Sequence, residues 1–132
     1  INWLAVAIAT LAYFLFCGLW YSPIAFRKYW DEAIGFVRPD KWKSTAIYFV
    51  VPIIGCLLAS IAVAILSKAL QISSLAEAIT FGVVIGIGFS TAVSFVNAVT
   101  PKMPKPLLYG LVTGVGHLIG IIIVSVIIYE MP

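Results

Sequence analysis

This sequence predicts an all-α integral membrane bundle of four transmembrane helices, with one interfacial amphipathic helix between helices 1 and 2. Three observations predict it. Apolar runs cover 1–21, 45–67, 74–99 and 107–129, and about 20 apolar residues carry a helix across a hydrocarbon core of about 30 Å. The chain is 63% hydrophobic and 10% charged, whereas a soluble domain is about half apolar and a quarter charged. The basic residues are confined to the gaps between runs. Arg27, Lys28, Arg38, Lys41 and Lys43 lie between runs one and two, and Lys102 and Lys105 between runs three and four. Only Lys68 lies on the other side.

Lipid cannot hydrogen-bond the backbone, so only helices and closed barrels cross it. A barrel reads as alternating segments of about ten residues, and the Ala-, Leu- and Gly-rich runs do not alternate. At 132 residues the chain is a single membrane domain, 1–132. Its mean hydropathy is +1.14. The net charge of +3 does not point to nucleic acid, because the cations sit at membrane boundaries. Basic loops stay cytoplasmic, so both termini are expected outside the cytoplasm, in a bacterial inner (plasma) membrane.

The elements follow in order. Residues 1–21 read as a helix, being too long for a signal-peptide core. Next, Phe26, Tyr29, Trp30, Ala33, Ile34 and Val37 recur at helical spacing, with Arg27, Lys28, Asp31 and Glu32 opposite. That pattern predicts an interfacial helix over 23–35. Ser22 is expected to cap it, Pro23 to sit in its first turn and Gly35 to end it. Run two contains Pro52, which frees a carbonyl one turn back. Run three opens with Ser74-Leu75-Ala76-Glu77, a capping box. Three prolines, Pro101, Pro104 and Pro106, stiffen the connection into run four. Aromatic residues near the run ends, among them Trp3, Trp42, Tyr48, Tyr109 and Tyr129, match an interfacial belt.

Small residues mark close helix contacts in lipid. Run three carries Gly82, Gly86, Ser90 and Ser94, each four apart. Run four carries Gly110, Gly114, Gly116 and Gly120. The stripes predict either packing of helices three and four within one chain or a homo-oligomer.

His117 is the only histidine and falls about 15 Å into run four. Intramembrane ionisable groups face the bundle and mark function by default. The other reading is a neutral imidazole bonding two helices. Depth places Ser90 opposite, and Thr113 one turn away. Asn97 falls level with Tyr109 and reads as a helix bridge. These four, His117, Ser90, Thr113 and Asn97, form the candidate polar intramembrane site. Asn2 and Glu130 read as wet terminal residues. A metal is not expected, since one histidine lacks further ligands, and no cofactor is assigned. Cys17 and Cys56 differ in depth by about 10 Å when each is counted from its helix end, beyond disulfide reach. They read as small core residues. No nucleophile elbow, phosphate loop or zinc-protease spacing is present.

Asn2-Trp3-Leu4-Ala5-Val6, Gly18-Leu19-Trp20-Tyr21-Ser22-Pro23, Phe95-Val96-Asn97 and His117 together resemble a group of small four-helix membrane proteins catalogued as domain of unknown function 1761. The resemblance spans nearly the whole chain. It implies four helices and no assigned activity, and it directs attention to Asn2, Trp20, Tyr21, Ser22, Pro23, Asn97 and His117. Family members often carry Tyr before the last histidine, where this chain has Gly116.

The expectation is therefore a non-enzymatic membrane protein, either a structural or accessory subunit of a membrane complex or a homo-oligomer. Its partners would be the lipid bilayer and other membrane subunits or itself. The alternatives are a small transporter or channel with a polar path around His117, and a membrane-embedded redox or hydrolytic enzyme.

Overall fold

The computed structural model describes all residues, 1–132, and is entirely helical. The helices are α1 (Trp3–Trp20), α2 (Arg27–Ile34), α3 (Ile47–Ala69), α4 (Leu75–Ile85), α5 (Ala92–Ala98) and α6 (Pro106–Glu130). A π-helical turn, Gly86–Thr91, joins α4 to α5. Four helices are long and apolar enough to cross a membrane: Trp3–Trp20, Ile47–Ala69, Leu75–Ala98 and Pro106–Glu130. The chain is an integral membrane protein. Its outward faces are apolar, with Leu15 67% and Leu107 74% exposed, as lipid contact requires.

α6 is the hub and touches every other helix. Its glycines explain how. A Cβ added to Gly82 of α4 would stand 2.9 Å from the Ile122 Cα, and one on Gly114 2.9 Å from the Thr91 Cγ2. Gly110 lies against the Phe95 ring. Gly116 and Gly120 face the other way, against Trp20 and Tyr13 of α1. One stripe of α6 therefore seats α4 and α5, and the other seats α1. Both are engaged within the chain. Ser125 Oγ adds a buried bond to the Ala78 carbonyl at 2.7 Å.

The π turn corrects the expected register. Along α6 the contacts fall at Ile122, Leu118, Gly114 and Gly110, and they meet Gly82, Gly86, Thr91 and Phe95. One side steps by four throughout; the other steps by four, five and four. The Ala92 N–H reaches back to Ile87, so one extra residue fits in the turn. Thr91 takes the place expected for Ser90, and its Oγ1 donates to the Gly114 carbonyl at 3.0 Å. Ser90 is half-buried, and its carbonyl accepts from Ser94 Oγ at 2.8 Å. Asn97, about 200° around the helix from Phe95, is exposed and bridges nothing.

The amphipathic helix is shorter than 23–35. Ser22 does not cap it: its Oγ donates to the Leu19 carbonyl at 2.6 Å. Residues 22–26 form a turn instead, with the Phe26 N–H bonded to the Trp20 carbonyl at 2.9 Å and the two rings 4.3 Å apart. Pro23 is exposed in that turn. Gly35 ends the helix at φ 72°. The bonds from Gly35 N–H to Glu32 O and from Phe36 N–H to Asp31 O form a Schellman motif, which a left-handed residue permits. Ala33 is fully buried against the bundle. The Lys105 N–H donates to the Ala33 carbonyl at 3.1 Å, and Lys105 Nζ pairs with Glu32. α2 is thus fastened to the start of α6.

At the other end, Asn2 is not a loose terminal residue. Its Oδ1 accepts from Leu4 and Ala5 N–H groups, capping α1, and its Nδ2 donates to the Met131 and Pro132 carbonyls. The Ser74 cap forms as the sequence predicts, accepting from Glu77 N–H at 3.1 Å. Glu77 reaches back one residue further than a capping box requires, to the Ser73 N–H at 2.7 Å.

Candidate functional site

Every fourth residue of α1 from Tyr13 looks inward: Tyr13, Cys17 and Tyr21. Tyr13 is 4% exposed, and its hydroxyl lies 2.6 Å from His117 Nδ1. The histidine is therefore bonded across to α1, and neither Ser90 nor Thr113 is its partner. A buried hydroxyl proton without an acceptor is costly. The Tyr13 hydroxyl has no other acceptor in the chain, so it donates to Nδ1, and the ring proton sits on Nε2. Nε2 has no partner within the chain. Gly120 makes this geometry possible, because a Cβ there would run into the Tyr13 ring. A Cβ on Gly116 would stand 2.7 Å from Trp20 Nε1, which donates to the Val112 carbonyl at 2.9 Å.

His117 lies at the base of a cavity of about 450 Å³. Five segments build it. α1 ends there with Tyr21, α2 contributes Arg27 and Trp30, and the α2–α3 loop contributes Arg38 and Trp42. α3 brings Tyr48 and Pro52, and α6 brings Tyr109, Thr113 and His117. The walls are aromatic and the polar groups converge. Thr113 Oγ1 is fully buried. The two arginines differ. Arg38 grips Asp31 through two bonds of 2.9 and 2.7 Å and lies 5.2 Å from the Phe36 ring centre. Asp31 holds Arg38 in its charged form above the usual range. Arg27 donates through Nε to the Tyr21 carbonyl at 3.1 Å and meets no carboxylate. The cavity thus carries one cation that is not neutralised.

A second cavity, of about 590 Å³, lies at the opposite end, where Asn2, Ala5, Ser67 and Lys68 line it. A packed plug separates the two. Along α1 the order is Ala5, Ala9, Tyr13, Tyr21; along α6 it is Ile128, Val124, Ile121, His117. The middle residues of each set are buried core.

Cys17 of α1 packs against the buried cluster that includes Cys56 of α3, and both cysteines are free.

Sequence reasoning reached His117 and Thr113 but missed Tyr13, Arg27, Trp30 and Tyr48. The i, i+4, i+8 set of Tyr13, Cys17 and Tyr21 on one face was the signal for the first. A family model described as "Protein of unknown function (DUF1761)" matches residues 4–129. No curated protein and no solved structure matches the chain. With the match running from the first turn of α1 to the last turn of α6, the chain belongs to the DUF1761 family.

Proposed function

We propose that this membrane protein is non-enzymatic and binds a small amphipathic anion in the cavity above His117. The observation that carries this is a 450 Å³ space with aromatic walls and an arginine that no carboxylate neutralises. Ligand pockets of about 300–1,000 Å³ combine apolar walls with a few convergent polar groups. Arg27 supplies charge, His117 Nε2 supplies a hydrogen bond at the base, and Trp30, Trp42 and Tyr48 cover an apolar body. A charge-assisted bond of this kind contributes about 1.5–3 kcal/mol.

In this reading the cavity opens at the cytoplasmic face of a bacterial inner membrane, and both termini lie outside. Binding is compatible with an accessory role in a larger complex. Self-association has less support than the glycine stripes offered, because those stripes are engaged inside the chain and an oligomer would have to use the lipid-facing surface. Transport has one observation in its favour, the two cavities facing opposite ends. Passage would require the plug of Ala9, Tyr13, Ile121 and Val124 to part and the Tyr13–His117 bond to break.

Tryptophan fluorescence in lipid nanodiscs tests the binding reading, with 1-naphthoate as probe. Saturable quenching is expected, weakened about tenfold in Arg27→Gln, which corresponds to about 1.4 kcal/mol. The cation 1-naphthylmethylammonium should not compete. Equal binding of both probes, or an Arg27→Gln protein that binds as the wild type does, would overturn it.

A further inference from the structure

We propose that Tyr13 decides which anions the His117 cavity accepts. By holding the ring proton of His117 on Nε2, it makes the base of the cavity a hydrogen-bond donor. The cavity then selects an elongated anion with a neutral carbonyl acceptor at its far end. This rests on the reading of the cavity as an anion site. The first observation is the bond itself. The Tyr13 hydroxyl lies 2.6 Å from His117 Nδ1, and the two rings meet edge to face at 76°. Tyr13 is 4% exposed, and its hydroxyl has no other partner. In a neutral imidazole one nitrogen accepts and the other donates, and the bond made by one fixes the role of the other. The second observation is that the pair is held in place. Gly120 seats the Tyr13 ring, where a Cβ would collide with its edge.

Third, the donor is open. His117 Nε2 has no partner in the chain and, unlike Thr113 Oγ1, is not fully buried. His117 lines the cavity, so the free N–H is offered to what fills it. Fourth, charge and donor lie at different levels. Tyr21 stands eight residues after Tyr13 on α1, and Tyr109 eight residues before His117 on α6. Each interval is about 12 Å by helical rise. Arg27 is bonded to the Tyr21 carbonyl, so the cation sits near one end of the cavity and the N–H at the other. A ligand that satisfies both carries its anion at one end and an acceptor at the other, with an apolar body between. An apolar far end would displace water and leave Nε2–H unpaired, which is costly. A donor there would oppose it. A ketone or ester carbonyl meets the requirement without a second charge. Tyr13 does not line the cavity. It acts through His117 and is a positioning residue.

Two measurements on the full chain in nanodiscs test this. The chain has one histidine, so nitrogen-15 labelling of histidine gives the spectrum of a single imidazole. At neutral pH the wild type should show a protonated Nε2 and an unprotonated Nδ1. In Tyr13→Phe nothing holds either tautomer, and both signals should move toward the average of two exchanging forms. Titration calorimetry then compares 6-acetyl-2-naphthoate with 6-isopropenyl-2-naphthoate, which match in shape and charge and differ in the acceptor. The wild type should bind the acetyl probe about tenfold more tightly, and Tyr13→Phe should lose that preference. A protonated Nδ1 in the wild type would overturn the proposal, and so would equal affinities for the two probes; neither result depends on a variant that folds. A Tyr13→Phe protein that keeps both the spectrum and the preference would remove the role of Tyr13. Equal binding that still requires Arg27 would sink this proposal alone and leave the anion site standing. Binding of neither probe would sink both.

Discussion

Gly114 shows how much one absent side chain decides. A Cβ there meets Thr91 Cγ2 at 2.9 Å, and the Thr91 hydroxyl bonds to the Gly114 carbonyl. Leucine at this position would separate α6 from the π turn and break that bond. Overpacking a filled site costs about 1–3 kcal/mol or more. Gly114→Leu is therefore expected to lower the thermal unfolding midpoint in detergent sharply and to reduce the yield of folded protein. Gly88 is the control, since a Cβ there meets nothing within 4 Å, and Gly88→Leu should leave the midpoint nearly unchanged. Equal effects from the two would mean the α6 stripe is not a seam. The glycine stripe itself was legible in the sequence, because small residues at four-residue spacing have few other uses in lipid. Its partner was not. The π turn has no local signature, and only the spacing of contacts along α6 reveals that Thr91, not Ser90, faces it.

At the scale of elements, α2 carries the difference between an anchored helix and a floating one. Its stripe is amphipathic, and the sequence shows that plainly. What the stripe faces depends on contacts distant in sequence: Lys105 with Glu32, Lys105 N–H with the Ala33 carbonyl, and Pro104 against Gly35. Periodicity alone treats lipid and a neighbouring helix as the same apolar surface, so Trp30 and Ile34 line a cavity where headgroup burial was equally consistent. The Lys105 ammonium holds the Glu32 carboxyl below its usual range, through their hydrogen bond first and their charges second. A carboxyl with a depressed folded value adds stability above its unfolded value, about 4.3. That stability is lost as pH falls through the folded value. Amide protection of Ala33–Gly35 should therefore drop on acidification in the wild type. Lys105→Gln should start lower at neutral pH and lose this component of the drop. Superimposable pH profiles for the two proteins would show that the pair does not fasten α2.

For the whole molecule, the charge asymmetry read from sequence becomes a polarity in space. Arg27, Lys28, Arg38, Lys102 and Lys105 gather at the end where α2 meets the start of α6. The opposite end holds the Asn2 clamp on Met131 and the Tyr129 contact to Ser73, and among lysines and arginines only Lys68. Hydropathy alone fixes four crossings and an even number of them returns the chain to its starting side. Direction then rests on the basic loops, which resist translocation. With Cys17 and Cys56 replaced by serine, a single cysteine at Lys41 is expected to resist an impermeant maleimide in intact cells and to label after permeabilisation. A single cysteine at Gln71, in the turn after α3, should label without permeabilisation. The mirrored pattern would invert the topology and place the His117 cavity outside, where cytoplasmic ligands do not reach it. Labelling of both positions in intact cells would mean that the chain does not hold one orientation, and the basic asymmetry would then carry no weight.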